Sequence, residues 1–191
     1  MKNIFLVILS ALLTISCFAQ KKESSNFVFQ TPEIKKRVDE LYNKMSVEER
    51  AAQLFGIRPE EVMSNGKISL EKCRQKIPYG VGQICQFACA LSLGPNELRD
   101  FVSDLQNYLI KETPSGIPAI FHEEAISGFA GKGATIYPQQ IGVACTWNPE
   151  LAYLKTQQTA KTMRAVGATM ALSPMVDLIR SAHWSRLEES Y

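Results

Sequence analysis

Histidine is scarce in this sequence. Its 191 residues hold two, His122 and His183. Five cysteines occur, none in Cys-x-x-Cys spacing. A zinc centre needs three or four convergent nitrogen and sulfur donors, so this residue set predicts no metal, and no cofactor is expected. An excess of one charge sign is also missing, with 21 Lys and Arg against 19 Asp and Glu. Affinity for a phosphate backbone scales with the cations presented, so the balance argues against a nucleic-acid partner and for a neutral substrate. No internal repeat or low-complexity tract interrupts the chain. The one long apolar run, Ile4 to Ile15, is about twelve residues, too short to cross a ~30 Å bilayer as a helix.

That run follows Lys2 and precedes Cys17-Phe18-Ala19, small residues of the kind found before a signal-peptide cleavage site. Residues 1–19 are therefore expected to be a signal peptide, giving a periplasmic or extracellular protein that starts near Gln20. Lipidation at Cys17 is the alternative, but Thr-Ile-Ser before it lacks the usual leucine. Cys73, Cys85, Cys89 and Cys145 remain in the mature chain. Cys85 and Cys145 sit in apolar runs and read as small buried side chains.

Residues 20–30 read as a polar tether. Thr31-Pro32 opens a helix to about Lys44, with Ile34, Val38, Leu41 and Tyr42 on one face. Ser46 and Glu49 form a capping box for the next helix, whose apolar face includes Ala52, Leu54 and Phe55. Ser64-Asn65-Gly66 is a turn, and Ser69 caps a short helix through Lys76. A strand-like segment spans 80–87. Pro95 opens a helix that buries Leu98, Phe101, Val102, Leu105, Leu109 and Ile110. Ile117 to Phe121 reads as a strand ending in the polar cluster His122-Glu123-Glu124. Asn148 caps a helix through about Val166, Gly167 ends it, and 169–173 is another strand. This β/α alternation implies a parallel sheet with its ligand site at the carboxyl ends of the strands.

Three groups could carry chemistry: His122-Glu123-Glu124, Asp177 with Arg180, and Trp184-Ser185-Arg186 with Glu188 and Glu189. Paired carboxylates serve glycoside hydrolysis, and an arginine fork can fix a sugar hydroxyl. Taken bare, the residues carry a weak signal, because solvated acids at loop ends are common. Trp184 either stacks on a sugar ring or packs under the loop that bears Arg186.

The spellings then narrow the choice. Met45-Ser-Val-Glu-Glu-Arg-Ala-Ala-Gln-Leu54, Gly80-Val-Gly-Gln-Ile84, Ile117-Pro-Ala-Ile-Phe-His-Glu-Glu-Ala-Ile-Ser-Gly128, Gly133-Ala-Thr-Ile-Tyr-Pro-Gln-Gln-Ile-Gly142, Ala144-Cys-Thr-Trp-Asn-Pro-Glu-Leu151, Ser173-Pro-Met-Val-Asp177 and Trp184-Ser-Arg-Leu-Glu-Glu-Ser190 resemble, in order and spacing, the N-terminal region of glycoside hydrolase family 3. The resemblance implies an α/β fold, the N-terminal portion of a (β/α)8 TIM-type barrel over 31–191. It also implies retaining hydrolysis of β-O-glycosidic bonds in oligo- or polysaccharides, β-glucosidase-like in kind. A β-xylosidase or β-N-acetylhexosaminidase of the same family stays open, as does a truncated, non-catalytic sugar-binding protein.

Carried over position by position, the resemblance makes Glu124, Arg186 and Arg180 substrate-binding residues for a β-linked sugar, with Asp177 a structural acid. Glu124 and Arg186 are expected at the carboxyl ends of neighbouring strands, facing one cavity. Glu123 is expected to point elsewhere and to do no more than balance a neighbouring Lys or Arg. Where the family usually reads aspartate-proline-arginine-tryptophan-glycine-arginine, this chain has Ser181-Ala-His-Trp-Ser-Arg186, which changes that loop. A full barrel takes about 250 residues, so the nucleophile and acid/base are expected beyond Tyr191. By itself the chain is expected to be inactive and poorly stable.

Overall fold

The computed structural model describes residues 31–190; the signal peptide expected over 1–19 and the tether over 20–30 lie outside the described residues. The chain divides into two units, 1–44 and 45–191. Helix α1, Pro32–Lys44, belongs to the first unit and buries none of its residues.

In the second unit, α2 (Val47–Ala52) starts at the expected capping box. Ser46 Oγ accepts from Glu49 N at 3.1 Å, and Ser46 N donates to Glu49 Oε2 at 2.7 Å. The helix stops at Ala52 because the chain turns through Gln53 into a short strand, β1 (Gly56–Ile57). Leu54 and Phe55 fall in that turn and are exposed, not buried on a helix face as their spacing suggests. A 3-10 turn, Pro59–Val62, leads into a two-residue hairpin, β2 (Met63–Ser64) and β3 (Lys67–Ile68). Its turn residues Asn65 and Gly66 have φ of 52° and 76°, the twin positive dihedrals that a tight hairpin needs. Ser69 caps α3 (Leu70–Lys76), with its Oγ accepting from Lys72 N at 3.3 Å.

Then follow β4 (Gln83–Cys85), α4 (Phe87–Leu91), α5 (Pro95–Glu112), β5 (Ile120–Glu124), α6 (Gln140–Ala144), α7 (Pro149–Ala165) and β6 (Met170–Leu172). The sheet is parallel, ordered β1-β4-β5-β6. Helix α5 buries Leu98, Phe101, Val102, Leu105, Tyr108 and Leu109. Ile110, expected on that face, lies one residue past the stripe and is exposed, while Tyr108 turns inward and donates its hydroxyl to Ile77 O at 3.4 Å.

The register of β5 differs from the sequence expectation. The polar triplet is inside the strand: Cys85 pairs with His122, and Glu123 and Glu124 pair with Ala171 and Leu172. Alternation along the strand sets Phe121 and Glu123 on one face and His122 and Glu124 on the other. Phe121 marks its face as the core, edge-on to Phe87 at 5.3 Å and to Phe101 at 6.3 Å. Helix α7 starts at the Asn148 cap, whose Oδ1 accepts from Glu150 N at 3.0 Å. It ends before Gly167, at φ 89°, where a Cβ would come within 2.7 Å of Val102 Cγ1.

Cys73, Cys85, Cys89 and Cys145 are free thiols. Cys73 is buried, Cys85 is half-buried, and Cys145, against expectation, is exposed, because it stands in the turn that joins α6 to α7. No helix among the described residues is long and apolar enough to cross a membrane.

Candidate functional site

The carboxyl ends of β1, β4 and β5 carry, in turn, Arg58, Gln86 and Glu124. Glu124, half-buried as the last residue of β5, accepts from Gln86 Nε2 at 2.8 Å. On the other side of the same amide, Arg58 Nη1 donates to Gln86 Oε1 at 3.3 Å. After β6, Ser173 Oγ accepts from Gln140 Nε2 at 2.9 Å. Polar groups thus line the edge where a parallel sheet presents its ligands. Arg58, Gln86 and Gln140 escape a reading by residue type; the signal that finds them is position, each directly after a strand or at a helix start.

Glu123 is not the idle neighbour expected from its position. It is fully buried. Its Oε2 accepts from the Ala88 and Cys89 backbone N–H groups at 2.6 and 3.0 Å, and its Oε1 from Glu124 N at 2.8 Å. It therefore caps the start of α4 from across the sheet, satisfying donors that the helix cannot satisfy itself. His122 is buried as well, and its Nδ1 has no hydrogen-bond partner among the described residues.

The loop after β5 is anchored by Lys155 of α7. Its Nζ donates to Ile126 O at 2.7 Å and Pro138 O at 2.6 Å, pinning both ends of the loop. Burial pulls its pKa below the ordinary lysine value. Inside the loop, Ala130 N donates to Glu124 O at 3.0 Å and Tyr137 N to Ser127 O at 2.8 Å, so the backbone beside Glu124 is fixed.

Arg186 lies in the exposed segment after β6, at the start of a 3-10 turn over Leu187–Glu189. Its Nε donates to Glu189 Oε1 at 2.8 Å, and its Nη2 pairs with Glu189 Oε2. The Glu189 bond and charge raise the Arg186 pKa, with smaller raises from Glu124 and Glu188. Arg180 and Asp177 are exposed and have no hydrogen-bond or ion-pair partner among the described residues. Trp184 is half-exposed on the same segment, its backbone N–H donating to Ser181 O at 3.2 Å. Arg186 is thus paired to Glu189, and Glu124 to Gln86, while Arg180 stands exposed on the segment after β6.

A cleft of about 560 Å³ opens between α6, α7 and the end of β6, lined by Val143, Trp147, Met163, Ser173 and Pro174 among others. It holds none of Glu124, Gln86, Arg58, Arg180 and Arg186. Its walls are mostly apolar, with Gln140, Asn148, Lys155 and Ser173 among the polar lining residues. Among the described residues no three His, Cys, Asp or Glu side chains converge as a metal would require. Desolvation of the Cys89 thiol, and then the Glu123 charge, push its pKa up to about 11, away from the thiolate form a nucleophile needs.

Residues 46–191 match the glycosyl hydrolase family 3 N-terminal domain. The chain belongs to this family. A putative β-xylosidase of Formosa agariphila is 30% identical over 200 residues, covering 100% of this chain and 26% of its own length. A probable β-glucosidase C of Aspergillus flavus is 27% identical over 169 residues, covering 83% of this chain and 26% of its own. Among solved structures, a novel β-glucosidase from Erythrobacter marinus superposes with a TM-score of 0.69 at 31% identity, covering 81% of this chain and 20% of that one. The parallel β/α arrangement is thus the N-terminal portion of a family 3 barrel. The chain spans about a quarter of the length of these curated relatives.

Proposed function

We propose that the full-length polypeptide is a retaining glycosidase that hydrolyses β-O-glycosidic bonds in oligo- or polysaccharides, and that residues 45–190 supply part of its sugar-binding wall. The observation that carries this reading is the half-buried Glu124 carboxylate at the carboxyl end of β5, held by Gln86, with Arg186 assigned to the same wall by its place in the motif. An ionised carboxylate accepts hydrogen bonds from sugar hydroxyls, and a guanidinium donates to hydroxyl oxygens. Arg180 is assigned to the same wall by its place in the motif. No acid here is assigned as nucleophile: Glu123 is a buried cap, and Glu189 is paired to Arg186. The family resemblance implies that the nucleophile and acid/base are supplied from outside these residues.

The relatives' names divide between β-xylosidase and β-glucosidase, so both sugars belong in the test. In the full-length enzyme, Glu124→Ala and Arg186→Ala should each lower kcat/KM on an aryl β-glucoside or β-xyloside by roughly tens- to hundredfold, the worth of a charge-assisted hydrogen bond. The unfolding midpoint should not move. Unchanged kinetics in both variants would remove these residues from the sugar site.

The apolar run after Lys2 supports export, with the protein released to the periplasm or exterior. Mass spectrometry of the secreted product should find a new N-terminus at or near Gln20. A product retained in the cytoplasm with Met1 intact would refute this.

A further inference from the structure

Arg58, Gln86 and Glu124 stand at the ends of three neighbouring strands of the sheet, β1, β4 and β5, and form one hydrogen-bonded line along its edge. A guanidinium only donates and an ionised carboxylate only accepts, so the amide between them satisfies both neighbours in a single orientation, oxygen to Arg58 and nitrogen to Glu124. The backbone of Gln86 is held apart from its side chain. It adopts the left-handed conformation, φ 48° and ψ 45°, which a residue with a side chain takes up only when its surroundings impose it. Here Gln86 N donates to His122 O at 3.0 Å, and Gln86 O accepts from Ala90 N at 3.1 Å. The turn therefore presents the carboxamide to Glu124.

We propose that Gln86 is a positioning residue for Glu124 and that Arg58 orients Gln86. This rests on the reading of Glu124 as a sugar ligand. A glutamate has three rotatable side-chain bonds, and a carboxylate that must meet sugar hydroxyls gains from being fixed before they arrive. An arginine directly on Glu124 would fork both carboxylate oxygens in a bidentate pair. The interposed amide engages Oε1 alone and sends the pull of the Arg58 charge through a neutral group. Among the described residues Oε2 has no hydrogen-bond partner, which leaves it available to a hydroxyl.

The test is a double-mutant cycle in the full-length enzyme, with kcat/KM read on whichever aryl β-glycoside it cleaves. Gln86→Met keeps the side-chain length and removes the donor. It should lower kcat/KM roughly tenfold in the wild-type background and less than about twofold in the Glu124→Ala background, because the bond it breaks is already gone. A merely structural glutamine would cost the same in both backgrounds and lower the unfolding midpoint. Arg58→Met changes an exposed side chain and does not threaten folding; it should cost roughly threefold, again only when Glu124 is present. A silent Gln86→Met, or a cost that persists without Glu124, overturns the positioning role. If Gln86→Met does not fold, an Arg58→Met cost that is absent, or unchanged by Glu124→Ala, overturns it instead. If Glu124→Ala is itself silent, the sugar-site reading fails and this role with it; a strong Glu124→Ala beside a silent or additive Gln86→Met sinks this role alone.

Discussion

Glu123→Ala should destabilise the 45–191 unit by about 3–4 kcal/mol, the loss of charge-assisted hydrogen bonds combined with buried N–H groups left unpaired. The carboxylate is fully buried and receives three backbone donors, two of them at the start of α4. Alanine leaves the Ala88 and Cys89 N–H groups without that acceptor and opens a void beside Phe121. Glu123→Gln keeps one acceptor oxygen and turns an NH2 group toward donors, so about half the loss should remain. Urea titration followed by circular dichroism measures both, with exposed Glu188→Ala expected within about 0.5 kcal/mol of wild type. A Glu123→Ala change below about 1 kcal/mol would mean that water or neighbouring groups replace the cap. Because α4 follows Gln86 directly, the same variant should loosen the turn that aims the amide at Glu124.

Gly82→Ala should cost about 3 kcal/mol or more, at the upper end for overpacking, because the obstruction is backbone that cannot rotate away. A Cβ at Gly82 would lie 2.7 Å from the Gln53 carbonyl carbon, nearer still to its oxygen, and 3.2 Å from Phe55 O. Gly82 is clamped on both sides: its N–H donates to Ala52 O and Phe55 O, each at 3.1 Å, and its carbonyl accepts from Ile120 N at 2.9 Å. Alanine would have to push the end of α2 away from β4 and so disturb the β1–β4 pairing. Gly133 is the useful contrast. It has φ 80° but nothing within 4 Å of a built Cβ, so Gly133→Ala should cost only the left-handed strain, about 1–2 kcal/mol. Gly82 has no positive φ, so a loss there no larger than at Gly133 in a denaturant titration would show that the chain makes room for the new Cβ.

Features whose causes lie within three or four residues are legible along the chain. Ser46 with Glu49, Ser69 and Asn148 cap the helices that their spellings announce. Asn65-Gly66 turns the hairpin, and Gly167 follows the end of α7. The apolar stripe of α5 is readable apart from the exchange of Ile110 for Tyr108. Family membership was legible too, because it rests on the order of short motifs. Tertiary structure decided whatever depends on a distant partner. The acids of the triplet look alike in sequence, yet the β5 register puts Glu123 under α4, 35 residues earlier in the chain, and Glu124 beside Gln86, 38 residues earlier. Strand β1 is two residues long and too brief to announce itself; it exists because β4 supplies its hydrogen bonds. Cys145 sits in an apolar run but in a turn, and so comes out exposed. A cap or a hairpin turn is settled by bonds between near neighbours, whereas the choice of which carboxylate is buried and which faces the sheet edge is made only when strands pair, and a shift of one residue would exchange the two.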